Sequence, residues 1–409
     1  MTPAMLLLVL GDHTKYFDMN GRCILDALPF PVVVFANRVS AEALAVAGPN
    51  VEIRRIPWSD DEQVRQSVLR LADERPLFTV ASLNESLLEQ AAELRDLLGL
   101  PGMARETVHR FRDKLLMKQL LDQQGVCVPC FARCDAPERV HALLARHGKL
   151  VIKPVDGVGS LRVSFIDSAP QLASWYAVTA AAEWERYEAE EYIDGDLYHV
   201  NAVVRGGQVL LSGAALYLQG MANIDYRNGT PLVTVMVEDV RLKERLDAFS
   251  ARVLEVLGLE DGVSHLECFL GRDDRIVLCE VGARPGGGGV THMLEAQFGV
   301  QYSYASLMLA AGRGGELKIP APTPRRYFGL IGFRLAHNCT IGKIAGAHQF
   351  ADDFIVHSAI YPENGRLVRA AAHAGDYVGL LVFAGDSHAD FHAKRESLHA
   401  RFDAELELQ

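Results

Sequence analysis

The chain has 409 residues, of which 49% are hydrophobic and 23% charged, and these values are typical of a globular protein with a large core. Its formal net charge of −11 argues against nucleic acid or an anionic membrane as a partner. The apolar run at residues 5–10 is too short to span a bilayer and lacks a basic leader, so we expect a buried first strand in a cytoplasmic protein.

Residues 1–105 alternate apolar runs with helical stretches, which predicts an α/β lobe with a parallel sheet. The runs at 31–35 and 77–80 predict strands, and the segments 61–75 and 86–98 predict helices. No Gly-x-Gly-x-x-Gly follows the first strand, so we do not expect a dinucleotide site in this lobe.

The next segment, residues 106–190, contains a helical pattern from Phe111 to Gly125, with the glycine as a C-terminal cap. Lys114 falls in the first turn of this helix, where a cation gains nothing from the helix dipole. That position suggests an anionic partner, and the alternative is an ordinary exposed lysine.

Residues 150–165 have the pattern strand, glycine turn, strand, with Lys153 at the end of the first strand. The turn from Gly157 through Gly159 to Ser160 can direct backbone N–H groups toward an anion. The alternative is a plain hairpin. The glycine turn is not a P-loop, because no Gly-Lys-Ser/Thr opens a helix there.

The second half of the chain divides at a proline-rich join, residues 319–324. Before it, residues 191–318 contain strands and a predicted helix at 240–257; after it, residues 319–409 form a C-terminal subdomain of short apolar runs. We therefore expect lobes arranged around one active site.

Two acidic residues, Glu267 and Glu280, each interrupt an apolar run on either side of a polar turn at 271–274. The runs predict two paired strands, on which an unpaired buried acid would be costly. Two carboxylates paired across strands can hold a divalent cation, and oxygen ligands suit Mg²⁺, with Mn²⁺ as an alternative. The other interpretation is a pair of solvated edge acids.

The 7 cysteines do not form a disulfide or zinc framework. Cys127 and Cys130 have redox-motif spacing, but we interpret them as ordinary buried or half-buried thiols. Strand alternation places Cys268 and Cys279 on the sheet face opposite to the two glutamates.

Four histidines are candidate general bases or, alternatively, structural residues. They are His13, His199, His265 and His292.

The order of these elements resembles the ATP-grasp superfamily. The resemblance rests on Asp113-Lys114, Val151-Ile-Lys-Pro154 with its glycine turn, Glu190-Glu-Tyr-Ile-Asp-Gly195, and the two glutamates followed by Arg284. Within the superfamily the chain is most similar to the carboxylate–amine ligases, in particular the L-amino acid ligases that make dipeptides. This resemblance implies an ATP-grasp fold of α/β class, with an N-terminal parallel-sheet lobe, a small ATP lobe and a large antiparallel-sheet lobe.

The resemblance also implies site residues. Arg284 and Lys153 would be catalytic, and Glu267 and Glu280 would ligate the metal. The ATP-binding set would be Lys114, Lys153, Gly157, Gly159, Ser160, Glu190, Glu191, Tyr192, Ile193, Asp196 and His199.

Two positions depart from the family pattern. Leu197 stands where many relatives have a ribose-binding Glu, so Asp196 or His199 is expected to bind the ribose, with His199 preferred. Gly282 stands where many relatives have an Asn metal ligand, which leaves the two glutamates, phosphates and water for the second magnesium.

The implied reaction activates a small carboxylate with ATP and joins it to an amine, in a cytoplasmic homodimer. Alternatives are a carboxylase of the same superfamily and a non-catalytic ATP-binding module. Lid candidates are the glycine turn and residues 217–230, in which Asp225 and Arg227 are candidates to bind an amino acid.

Overall fold

A computed structural model describes residues 6–11, 15–218, 228–320, 326–372 and 375–409. Within these ranges the strands form four sheets. No helix in the described ranges combines the length and the apolar content that a membrane crossing requires.

The N-terminal lobe is a four-stranded parallel sheet with helices, as the alternating pattern predicts. Its elements are β1 (Leu6–Leu10), β2 (Val32–Ala36), α1 (Arg38–Ala43), β3 (Val51–Arg55), α2 (Asp61–Glu74), β4 (Leu77–Ser82) and α3 (Leu88–Leu98). The strand order is β3–β2–β1–β4. All strands run the same way, so their carboxyl ends share one edge, and residues 83–85 follow β4 at that edge.

The small lobe carries a four-stranded antiparallel sheet with helices. Its elements are α4 (Arg105–Arg112), α5 (Lys114–Gln123), β5 (Phe131–Arg133), α6 (Pro137–His147), β6 (Leu150–Pro154), β7 (Ser164–Ile166), α7 (Ala169–Val178) and β8 (Tyr187–Glu191). The order is β5–β8–β6–β7, and β6 with β7 forms the expected glycine-turn hairpin.

The single helix predicted from Phe111 to Gly125 is wrong at one point, because the chain breaks at Asp113 into α4 and α5. The Asp113 carboxylate accepts hydrogen bonds from the backbone N–H groups of Leu115 and Leu116, both at 2.9 Å, and so caps α5. Lys114 is therefore the first residue of α5, where its own N–H donates to the carbonyl of Val155 at 2.9 Å. The break fixes Lys114 against the segment that follows β6.

The large lobe is built on an eight-stranded antiparallel sheet. Before the proline-rich join its elements are β9 (Gly195–Arg205), β10 (Gln208–Tyr217), β11 (Leu232–Met236), α8 (Val240–Leu257), β12 (Gly262–Gly271), β13 (Ile276–Gly282), α9 (Val290–Phe298) and α10 (Tyr302–Ala310). The bounds of α8 confirm the prediction from the helical pattern; Asp239 caps its start, and Gly258 ends it in the left-handed conformation.

The C-terminal segment extends this sheet and adds a small one. Its elements are β14 (Tyr327–Phe333), β15 (Cys339–Lys343), β16 (Ile355–Ile360), β17 (Leu367–Val368), β18 (Gly379–Gly385), α11 (His388–Ala404) and β19 (Glu407–Leu408). The large sheet has the order β13–β12–β9–β10–β11–β14–β18–β16, and the small one β17–β15–β19.

Two apolar layers hold the large sheet in place. Side chains of α5 and α8 pack on one face, and those of α9 and α10 pack on the other. Leu307 and Met308 of α10 also enter the core of the N-terminal lobe. This packing fixes the β12–β13 end of the sheet relative to the N-terminal lobe and to α5.

Candidate active site

A cleft lies between the small-lobe sheet and the β12–β13 hairpin, with about 870 Å³ of empty volume, part of it open to solvent. Most of the residues implied by the family resemblance line it: Lys114, Lys153, Gly157, Gly159, Ser160, Glu190, Glu191, Tyr192, Ile193, Glu267 and Glu280. Asp196, His199 and Arg284 are not among the lining residues.

The two acids face each other across neighbouring strands, as predicted. Glu267 of β12 and Glu280 of β13 are register partners in the antiparallel ladder. The register shifts immediately after this pair, where Cys268 is paired with Leu278. This bulge leaves Cys279 lining the cleft, so its predicted place on the opposite face is wrong, whereas Cys268 lies in the opposite core as expected.

Glu267 is held by hydrogen bonds from beneath the cleft. The Tyr217 hydroxyl donates to Glu267 Oε1 at 3.0 Å, and His265 Nε2 lies 3.5 Å from the same oxygen. Burial alone would raise the pKa of the Glu267 carboxyl, but the contacts with His265 and Tyr217 outweigh burial and lower it. The carboxylate is therefore charged and oriented.

Lys114 joins the acid pair to the glycine turn. Its Nζ lies 3.2 Å from Glu280 Oε2 and donates to the carbonyl of Gly157 at 2.7 Å. The turn itself has left-handed backbone at Gly159 (φ 62°) and Ser160 (φ 60°). A non-glycine residue adopts that conformation at a cost, and such strain is concentrated at binding sites.

Lys153 belongs to a buried network of four charges. Its Nζ lies 2.6 Å from Glu190 Oε1 and 3.9 Å from Glu188 Oε1. Burial opposes the charge of Lys153, but Glu190 and the other nearby acids keep its pKa well above the usual value. The Glu190 side chain is thus committed to lysines, which leaves its backbone for any contact with adenine.

Lys118 completes this network and was not found from the sequence. It is fully buried, 2.6 Å from Glu188 Oε1, and it also pairs with Glu190. The one available signal was the pair of acids, Glu188 and Glu190, at alternate positions of an otherwise buried strand, which requires buried cations.

Arg284 is held at the edge of the cleft by Glu85 of the N-terminal lobe. Its Nε and Nη2 donate to Glu85 Oε2 at 2.8 and 2.6 Å. Glu85 Oε1 accepts from Arg112 Nη1 at 3.0 Å, and Arg112 Nη2 donates to the carbonyl of Asp156, in the glycine turn, at 2.6 Å. Glu85 therefore links Arg284, through Arg112, to the glycine turn.

The charge on Arg284 is reinforced by its surroundings. Burial disfavours the charged guanidinium, but the carboxylates of Glu85, Glu280 and Glu267 outweigh burial and raise its pKa. The sequence did not identify Glu85 as a site residue. Its position directly after a parallel strand was the available signal, because ligand sites form at that edge.

His199 is placed beneath the cleft floor, which argues against the predicted ribose contact. Its Nδ1 accepts from the Asn201 side-chain amide at 2.8 Å, so its Nε2 donates to Thr234 Oγ1, also at 2.8 Å. The side chain is fully buried, and burial lowers its pKa to about 3. Asp196 is exposed at the start of β9 and also lies outside the cleft lining.

The other candidate histidines have separate surroundings. His265 Nδ1 is 2.8 Å from Asn201 Oδ1, so this histidine is part of the support under Glu267. His292, whose ring centroid is 4.6 Å from that of His357, has its pKa lowered to about 4 by burial. His13 lies outside the described residues, as do Asp225, Arg227 and most of the second lid candidate.

Comparison with known proteins agrees with this geometry. Residues 111–288, less than half of the chain, match the ATP-grasp domain family. The chain contains an ATP-grasp domain. All the residues that line the cleft lie within the matched segment.

Relatives and solved structures extend the similarity beyond the domain. The chain is 24% identical over 282 residues to an L-arginine-specific L-amino acid ligase of Bacillus subtilis, a match that covers 65% of this chain and 66% of the relative, just under two thirds. The L-amino acid ligase from Bacillus licheniformis has a similar structure, with a TM-score of 0.78, 21% identity, and 100% and 99% of the two chains covered.

A carboxylase domain also has this fold. The biotin carboxylase domain of the 2-oxoglutarate carboxylase from Hydrogenobacter thermophilus gives a TM-score of 0.73 at 14% identity, with 100% and 91% coverage. At these identities the structural similarities establish the fold, and with it the predicted ATP-grasp architecture of parallel-sheet and antiparallel-sheet lobes.

The link between Glu85 and the two arginines generates a stability prediction. Glu85→Gln keeps the shape of the side chain but leaves Arg284 and Arg112 without their buried counter-charge, so we expect it to destabilise the fold by about 3 kcal/mol at pH 7. Denaturant unfolding measures this. Glu89→Gln is the control, because Glu89 pairs with His109 on the surface.

The effect depends on pH with a defined sign. The two arginines outweigh burial and lower the Glu85 pKa from 4.5 to about 2, so its stabilisation is complete above pH 4.5 and is lost as pH falls toward 2. The difference in the free energy of unfolding between wild type and Glu85→Gln should therefore become smaller below pH 4.5. Equal destabilisation by Glu85→Gln and Glu89→Gln would contradict this role.

Proposed function

We propose that the protein is an ATP-dependent ligase that forms an amide bond between a small carboxylate and an amine, with amino acids as the substrate class. ATP phosphorylates the carboxylate to an acyl phosphate, and the amine then attacks the acyl carbon and releases phosphate. The similarity to the L-arginine-specific ligase supports the substrate class.

One observation carries this proposal: a single buried cation, Lys114, bridges the glycine turn and the acid pair. Its contacts with Gly157 and Glu280 hold the backbone of the glycine turn beside the two carboxylates, as a phosphate-binding loop next to a metal site would require. A triphosphate bound along the turn would end at that point, where phosphoryl transfer needs cations on both sides.

The acid pair has the chemistry of a magnesium site. Glu267 and Glu280 offer only carboxylate oxygens on adjacent strands, which suits Mg²⁺ and also Mn²⁺. Gly282 adds no side-chain ligand. The metal, when bound by Glu267 and Glu280, would neutralise charge on the phosphate oxygens.

The side chains of the chain itself have separate tasks. Lys153 would contact the phosphates, and the backbone of residues 190–193 would hold the adenine. Arg284, with its planar fork of donors, would contact the transferred phosphoryl group and the oxyanion that forms when the amine attacks. Glu85 keeps that guanidinium oriented before substrate binds.

The two alternative functions have weaker support. A carboxylase shares the fold alone, and a non-catalytic ATP-binding module would not need the acid pair together with Arg284. A homodimer and a cytoplasmic location remain predictions.

The reaction class predicts a product ratio. Purified protein incubated with ATP, Mg²⁺ and a matrix of amino acids should release ADP, phosphate and an amide product in equal amounts, as measured by mass spectrometry and phosphate assay. Bicarbonate without amino acids is the control for the carboxylase reaction. Release of AMP and pyrophosphate, or turnover that needs bicarbonate alone, would overturn the proposal.

The acid pair predicts a large effect on turnover without loss of the fold. Glu280→Gln keeps the shape and hydrogen bonding but removes a charge from the metal site, so turnover should fall by about a hundredfold or more. The control is Glu260→Gln, an exposed acid before β12. Near-normal turnover of Glu280→Gln at saturating Mg²⁺ would show that the metal assignment is wrong.

A further inference from the structure

A second group of metal-ligating side chains lies at the rim of the cleft. Cys130, His147 and Glu191 each present a ligand atom, and these atoms all lie within 4.8 Å of one another. In the part of the chain that the structure describes, this is the only such group of three or more His, Cys, Asp and Glu residues. The acid pair at Glu267 and Glu280 is separate from it.

Polar contacts already join the three side chains. His147 Nδ1 lies 2.8 Å from Glu191 Oε2, and the Cys130 thiol donates to the Glu191 carboxylate. Burial and the charge of Glu191 raise the pKa of Cys130, which keeps the thiol protonated without a metal. His147 Nε2 is buried and has no hydrogen-bond partner.

The backbone holds each of these residues at the end of a regular element. Cys130 immediately precedes β5, His147 is the last residue of α6, and Glu191 is the last residue of β8. The N–H of Glu191 donates to the carbonyl of Cys130 at 2.9 Å, and α6 ends at Gly148, which is left-handed. Convergence on rigid segments pre-organises the three ligands before any ion binds.

We propose that Cys130, His147 and Glu191 form a binding site for a divalent transition-metal ion of the zinc class. Sulfur, nitrogen and oxygen donors together suit Zn²⁺ or Co²⁺, whereas Mg²⁺ selects oxygen donors only. Three protein ligands leave a fourth position of a tetrahedral ion for water. This site goes beyond the proposed ligase reaction and does not depend on it.

Binding of the ion changes which atoms of the cluster carry protons. The Cys130 thiol loses its proton to solvent and forms the metal–sulfur bond. His147 binds the ion through Nδ1, with the single proton of the imidazole ring on Nε2. Glu191 exchanges its contacts with Cys130 and His147 for one metal–oxygen bond.

Cobalt provides a direct test, because only a thiolate ligand gives the near-ultraviolet sulfur-to-cobalt charge-transfer band. Metal-free full-length protein is titrated with Co²⁺ in excess Mg²⁺, which occupies the oxygen-only site. We expect one equivalent of Co²⁺ to produce the band and one equivalent of Zn²⁺ to abolish it. Zn²⁺ should also raise the thermal midpoint of unfolding.

Substitutions identify which side chains bind the Co²⁺ ion. Cys130→Ser and Cys130→Ala should lose the band, and His147→Gln should weaken Co²⁺ binding by more than about tenfold, since even groups that only orient a metal ligand contribute 10–100-fold. Cys127→Ser is the matched control, because the Cys127 sulfur faces Arg275 Nη1 at 3.8 Å and lies outside the cluster.

The outcomes separate cleanly. Retention of the band in Cys127→Ser and Glu280→Gln, with its loss in both Cys130 variants, supports the site. Absence of the band in wild type, its survival in the Cys130 variants, or its loss in Cys127→Ser would overturn the proposal. Circular dichroism of each variant shows whether a lost band reflects a lost fold.

Discussion

The constraint on which the cleft depends is that each buried carboxylate needs a cation or a hydrogen-bond donor. Glu267 and Glu280 face each other across one ladder, an arrangement that like charges disfavour in a low dielectric. Tyr217 and Lys114 offset that cost. Lys118 and Lys153 do the same for Glu188 and Glu190. Arg112 and Arg284 do so for Glu85. The cleft is therefore charge-paired before any nucleotide enters. In the proposed reaction Lys114 and Lys153 exchange carboxylates for phosphate oxygens, and the acid pair takes up magnesium.

Those parts of the site that follow from local pattern were predictable from the sequence. Acids placed in two apolar runs predicted the hairpin and the opposition of Glu267 and Glu280, because an unpaired acid there would be too costly. A glycine turn flanked by extended runs predicted the β6–β7 hairpin, and the helical pattern at residues 240–257 predicted α8 over its full length. In each case the signal and its structural effect lie within a few residues of one another.

Features that depend on tertiary contact were not predictable. Glu85 meets Arg284 across 199 positions of the chain and Lys118 meets Glu188 across 70, and no spacing rule joins such partners. The break at Asp113 was hidden because apolar periodicity continues through α4 and α5. The β-bulge between Glu267 and Cys268 leaves Cys279 in the cleft, where strict alternation would have excluded it. Side chains of β9 and β11 form hydrogen bonds with both ring nitrogens of His199.

The central claim is that ATP activates a carboxylate in this cleft. The most direct test is to follow oxygen from the substrate carboxylate into inorganic phosphate. A single turnover with an amino acid substrate labelled with oxygen-18 in its carboxylate should place one labelled oxygen in the released inorganic phosphate, because the acyl phosphate bond breaks between carbon and oxygen. Mass spectrometry of the phosphate measures it. Amide product formed with unlabelled phosphate, or label found in AMP, would contradict activation by phosphoryl transfer.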